Sequence, residues 1–203
     1  MAEAEKERVT GGRFGLAPAP GGLRLVQDLV NTALAGRPGV ADWLMEPGTA
    51  SAWLSQALEA WSAATGIAAP GIDLDQSDLA ALRDHRELLR AVLRAGSGGA
   101  GPGTRPGPGR EVTARILLTA EADGRVRYEP LESGWRAVRA LASAEMLLAQ
   151  AAGTWPRLKT CAYRTCGGCF YDSSPNRARV WHDTKMCGNV SNLRASRARR
   201  RLG

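Results

Sequence analysis

All four cysteines of this 203-residue chain fall between Cys161 and Cys187, and one of its two histidines, His182, lies among them. Thiolates and an imidazole at this density suit a tetrahedral zinc ion, which can hold a small segment folded without a large core. Five candidates compete for four positions: Cys161, Cys166, Cys169, His182 and Cys187. By spacing, Cys166-x2-Cys169 reads as a zinc knuckle with Cys161 as an outer ligand. The alternative pairs Cys161-x4-Cys166 with His182-x4-Cys187 and leaves Cys169 as a small core residue. That second set needs a hairpin, with Phe170-Tyr171 and Val180-Trp181 as strands turned by residues 173–176, to carry His182 back. A redox reading of Cys166–Cys169 lacks a thioredoxin-like βαβ pattern. Catalytic zinc would need an open coordination position and a nearby general base.

Charge is concentrated in the same segment. Residues 157–203 hold eleven Lys or Arg against Asp172 and Asp183, a net of +9, whereas the whole chain is +7, so residues 1–156 sum to −2. Such asymmetry points to an acidic polymer or surface as partner. The spacing predicts a helix capped by Asn189, with Arg194, Arg197 and Arg201 at i, i+3 and i+7 and Arg200 beside them. Val190 and Leu193 are expected to face the finger. Arg177, Arg179 and Lys185 extend the basic face, which suits contacts to the phosphates of double-stranded DNA.

No run of eighteen apolar residues and no signal-peptide pattern occur, so the expected setting is cytoplasmic, without a membrane partner. Reduced cysteines there favour metal over disulfides. Residues 1–21, charged and then rich in Gly and Pro, are expected to be disordered. Leu23 to Leu34 reads as a helix, and Thr49 as the cap of a second carrying Ala50, Trp53, Leu54, Ala57, Leu58 and Trp61 on one stripe. A third spans about 77–94 with Leu79, Leu82, Leu89 and Leu93 inward and His85 as a partly exposed polar residue. Residues 95–109 form a Gly/Pro loop. Asp123-Gly124 turns a hairpin of strands at 112–119 and 125–129. Gly134 to Ala152 reads as the longest helix, with Trp135, Val138, Leu141 and Leu148 inward. No Gly-rich phosphate loop or nucleophile elbow is present, and no constellation supports an enzyme.

The fold class expected is α+β: a mainly helical N-terminal domain with a β-hairpin over 22–154, then a small zinc module of hairpin and basic helix over 155–203. The pattern C-x4-C-x3-F-Y-D-x-S from Cys161 to Ser174, followed by Arg179-x-Trp181 and Cys187-Gly-Asn189, resembles the CGNR zinc-finger family. Leu29-Val30-Asn31-Thr32 is similar to the start of the ABATE-type N-terminal domain found in those proteins, which are described as stress-induced transcription regulators. The resemblance implies four cysteine ligands, the third directly after the tryptophan. Here that position is His182, so it implies a Cys3His site of Cys161, Cys166, His182 and Cys187 with one structural zinc. Cys169 falls where the family carries an apolar residue, and Val190 where it carries the arginine of its motif.

Together these readings predict a bacterial DNA-binding transcription regulator, its N-terminal domain sensing a small-molecule effector or mediating assembly, for example as a homodimer. Asp28 and Asn31 lie in the motif of that domain and are candidates for its ligand, and four tryptophans, Trp43, Trp53, Trp61 and Trp135, leave room for an apolar pocket. The rival expectation is a zinc-dependent adaptor that docks an acidic partner protein.

Overall fold

A computed structural model describes residues 16–34, 39–96, 111–163 and 165–200, except the side chains of 194, 195 and 198–200. The central element is a short helix, α1 (Leu23–Val30), in which Leu25, Val26, Leu29 and Val30 are all fully buried. Its apolar stripe faces the bundle, while Arg24 and Asp28 pair on the opposite face. It packs against α2 (Pro47–Thr65), α3 (Gln76–Gly96) and α4 (Gly134–Ala151). Of the N-terminal segment expected to be disordered, residues 1–15 lie outside the described residues. Leu16 and Ala19, however, are buried, and Gln27 bonds both Ala17 O and Ala19 N.

In α2 the predicted stripe is buried as expected, but the helix begins earlier than predicted. Pro47 sits in its first turn, where a missing N–H and a preset φ suit it. Thr49 is therefore already helical, and its hydroxyl donates back to the carbonyls of Trp43 and Glu46. In α3 the Asp75 carboxylate accepts the Ser77 and Asp78 N–H groups and so fixes the helix start. At 21 residues α3, not α4 at 18, is the longest helix. The stretch 97–110, which holds most of the predicted Gly/Pro loop, lies outside the described residues.

The Asp123-Gly124 hairpin forms, with β1 (Ile116–Ala120) antiparallel to β2 (Val126–Pro130), and Gly124 takes the positive φ of 83° that the turn demands. Tyr128 of β2 meets Trp61 edge to face, ring centres 5.9 Å apart, and both donate to the buried Glu145 carboxylate of α4. This tie turns the packed face of α4 toward Glu145 and Ala149. Leu148, expected inward, is 49% exposed as a result.

A 3-10 turn (Trp155–Arg157) leads into β3 (Leu158–Thr160), which pairs antiparallel with β4 (Cys169–Tyr171). This corrects the predicted hairpin: β4 pairs with the strand before it, not with Val180-Trp181. Arg157 to Thr160 leaves the Pro156 turn already extended, and β4 is the nearest strand to it. The 180 region keeps one backbone bond to the finger, from Ala162 N to Val180 O at 2.8 Å. Leu158 and Cys169 are part of the main hydrophobic core, so the ribbon is built into the helical body. The chain ends in a π-helical turn (Thr184–Gly188) that runs directly into α5 (Asn189–Arg200).

Candidate metal centre

The β3–β4 ribbon positions the first two ligands. Cys161 N donates to Gly168 O and Cys166 N to Tyr163 O, both at 2.8 Å, folding residues 161–168 into a tight loop. After β4, Asp172 organises the return. Its fully buried carboxylate accepts from Lys159 Nζ at 2.8 Å, Ser174 N at 3.0 Å, Ser174 Oγ at 2.5 Å and Arg179 N at 3.0 Å. Burial alone would raise its pKa, but these donors hold it far below the usual carboxylate range. The D-x-S of the sequence is thus the hub that brings the chain back to the metal loop.

Asp183 caps the π-helical turn by accepting from Met186 N at 2.9 Å, while Cys187 N and Gly188 N both reach Asp183 O. Turns of this kind concentrate at functional sites, and here one carries a ligand. A Cβ on Gly188 would stand 3.0 Å from the Trp181 ring, so the glycine after Cys187 lets the indole close over the turn. The helix cap predicted at Asn189 is therefore supplied by Asp183, six residues earlier, and Asn189 already has helical dihedrals.

The ligand atoms of Cys161, Cys166, His182 and Cys187 lie within 4.8 Å of one another, and all four residues are buried. His182 Nδ1 stands 3.4 Å from Cys166 Sγ and 3.6 Å from Cys187 Sγ. Tetrahedral zinc with its usual bond lengths places a sulfur and a nitrogen ligand about 3.6 Å apart. Without a cation the cluster is frustrated. Hydrogen bonds from Cys166 and then His182 hold Cys161 down to about 4, while that same thiolate and burial push Cys166 up. A divalent ion would let all three thiolates ionise together. Size, donor chemistry and burial agree on a closed site for one structural zinc ion.

Cys169 is not in this set. It is fully buried in the helical core, burial pushes its thiol up, and Asn31 clamps its backbone. Asn31 Nδ2 donates to Cys169 O and Cys169 N donates to Asn31 Oδ1, both at 2.8 Å. The knuckle reading therefore fails, because the strand pleat turns Cys169 away from Cys166 and toward α1.

The ABATE family profile, "Putative stress-induced transcription regulator", matches residues 23–160, and the CGNR zinc-finger profile matches residues 157–200. The chain belongs to the ABATE family. No curated protein matches it. In this ABATE chain the Leu29-Val30-Asn31-Thr32 motif has a structural role. It ends α1, where Asn31 grips β4 and two α3 arginines grip the rest. Arg86 donates to Thr32 Oγ1 at 2.9 Å and forks onto Asp42 at 2.7 Å. Arg90, 1% exposed, donates to the carbonyls of Val30 and Ala33. Sequence reading missed this network. Its one signal was two arginines, four apart, on the apolar face of α3.

The predicted DNA contacts are placed unevenly. Arg177, Arg179, Lys185 and Arg197 are exposed. Of these, Arg179 is also tethered to the finger, its guanidinium 5.4 Å from the Phe170 ring and donating to His182 O. The side chains of Arg194 and Arg200, and all of Arg201, lie outside the described residues. Val190 and Leu193, expected to face the finger, are 37% and 52% exposed. No helix among the described residues is long and apolar enough to cross a membrane.

Proposed function

We propose that this ABATE chain is a DNA-binding transcription regulator whose zinc finger presents α5 to duplex DNA while the helical body responds to an effector or mediates assembly. One observation carries the reading: a helix that runs on from the turn holding a buried metal ligand, with Lys185 of that turn and Arg197 of the helix both in solvent and no acidic residue in the sequence after Asp183. Anchoring at Cys187 fixes the direction of α5, and arginines along it supply phosphate contacts. Arg177 extends the same positive surface, and Arg194, Arg200 and Arg201 complete it by sequence.

Truncation after Leu193 tests this, because it removes five arginines and leaves the zinc ligands whole. Each phosphate contact contributes about 0.9 to the log–log salt slope, so the truncated protein should bind random duplex DNA more weakly and with a flatter slope. Equal binding at physiological salt would remove α5 from the interface. The adaptor reading has one observation in its favour. Met186 of the π-helical turn and Val190 and Leu193 of α5 are 51%, 37% and 52% exposed, at i, i+4 and i+7 along the chain. If the apolar row is what matters, Leu193→Asp should abolish partner capture while leaving the salt slope for DNA unchanged.

A further inference from the structure

A groove of about 370 Å³ runs between α3 and α4, its lining including His85, Val92, Val112, Met146 and Leu147. Its volume falls near the lower end for small-molecule sites. Around it Val92, Val112 and Leu147 are left 36%, 40% and 68% exposed, an apolar rim in water beside an otherwise closed core. His85 is the exception in its wall. The sequence suggested a partly exposed polar residue, yet it is 5% exposed, and its Nε2 has no hydrogen-bond partner. A buried polar nitrogen left unpaired is rare and calls for an explanation. The lining has no carboxylate and no cation of its own. The nearest charge acting on His85 is Arg139 of α4, whose guanidinium lies over Trp135 and 3.6 Å from Glu132.

We propose that this groove is a binding site for a small carboxylic acid with a hydrocarbon or aromatic body. The body covers the exposed Val92, Val112 and Leu147, and the carboxylate accepts a hydrogen bond from the His85 imidazole in the field of Arg139. The charge balance sets the sign. The lining offers no carboxylate, and Arg139, although paired with Glu132 at 3.6 Å, is the charge that acts on His85, so a ligand carboxylate is favoured there over an ammonium group. Burial keeps His85 neutral at physiological pH, so it can donate without carrying its own charge. The proposal deepens the effector part of the reading above, but it concerns occupancy of the groove alone and is read without DNA, so either can fail by itself.

The chain has four methionines, and of the three among the described residues, Met45, Met146 and Met186, only Met146 lines the groove, which makes the test direct. Full-length zinc-loaded protein labelled at the methionine methyl carbons is titrated with octanoate, benzoate and, as the cationic control, octylamine. Octanoate should shift the Met146 resonance saturably and leave Met45 and Met186 in place, with octylamine weaker by about tenfold or more. His85→Leu should weaken octanoate by a similar factor, as expected for losing one hydrogen bond to a charged group. Leu147→Asp changes a residue in solvent, so it should keep the melting temperature and still abolish the shift. The proposal is overturned if Met146 does not move, if octylamine binds as well as octanoate, or if Leu147→Asp binds as tightly as the parent. A Met146 shift that follows protein concentration without any probe would assign the groove to a second copy and overturn it equally.

Discussion

His182 and Cys169 carry the sharpest test at the scale of single residues. Only His182 has its ligand atom in the cluster, so His182→Ala should reduce zinc from one per chain to near none after dialysis. Cys169→Ala should keep the ion and lower stability by about 1 kcal/mol, the order expected for a small buried deletion. Elemental analysis beside urea unfolding separates the two, and loss of zinc from the Cys169 variant alone would restore the knuckle.

His85 gives a pH-dependent test. Burial, and then the Arg139 charge, push its imidazole down to about 4. Between about 6.5 and 4 the unfolded chain takes a proton that the native one refuses, so stability falls with falling pH, by on the order of 3 kcal/mol across the window. Asp28 acts in the opposite sense. Burial raises it to about 6 despite Arg24 at 3.2 Å, so its part of the stability grows as pH falls from 6 toward 4. The difference between the parent and His85→Gln isolates the histidine, because Asp28 and acid release of zinc act on both. A variant with the same slope as its parent between pH 6.5 and 4 would show that His85 titrates normally.

Among the elements, α1 depends most on its neighbours. It has eight residues, no side-chain cap and a C-terminus whose carbonyls would otherwise be buried without donors. Arg90 supplies a donor to one of them, Val30 O, and to Ala33 O just beyond the helix. Arg90→Met should therefore cost about 2–4 kcal/mol, since it strands acceptors in the core. Arg90→Lys should recover only a minor part, because an ammonium cannot fork as a guanidinium does. Urea midpoints at constant slope would show both, and full rescue by lysine would mean that charge alone matters. The α3 arginines look like surface residues in the sequence because nothing local marks α1's end as buried. The stripe of α2 was legible because helical period and burial coincide there. The outward turn of Leu148 was not, because it follows from Glu145 meeting Trp61 and Tyr128, which are 84 and 17 residues away.

At the scale of the whole molecule, the zinc finger is joined to the helical body by the two bonds between Asn31 and Cys169, across 138 residues, as well as by packing. A Cβ on Gly168 would stand 3.3 Å from Leu34 and 3.4 Å from Cys166 Sγ, so the metal loop also leans on the chain just after α1. Asn31→Ala should leave a buried N–H and a buried carbonyl unpaired and cost about 2–4 kcal/mol. It should also hasten zinc transfer to a chromophoric chelator, although Asn31 is not a ligand. Unchanged transfer would mean that the joint holds the body without bracing the metal loop. Chelation is expected to open residues 172–200 first, since Leu158 and Cys169 stay anchored in the main core. Proteolysis with mass mapping checks this, and early cuts within α2 or α3 would show that the zinc supports the helices too.

The sequence by itself determined the metal, the helical stripes, the Asp123-Gly124 hairpin and the basic end of the chain. Each is set by residues within a few turns of one another, where spacing and chemistry suffice. Only the tertiary structure decided between Cys169 and His182, buried His85 and Arg90, and made Asn31 a clamp on Cys169. Those outcomes depend on which distant backbone group arrives beside a side chain, and burial, unlike periodicity, is a property of the packed whole.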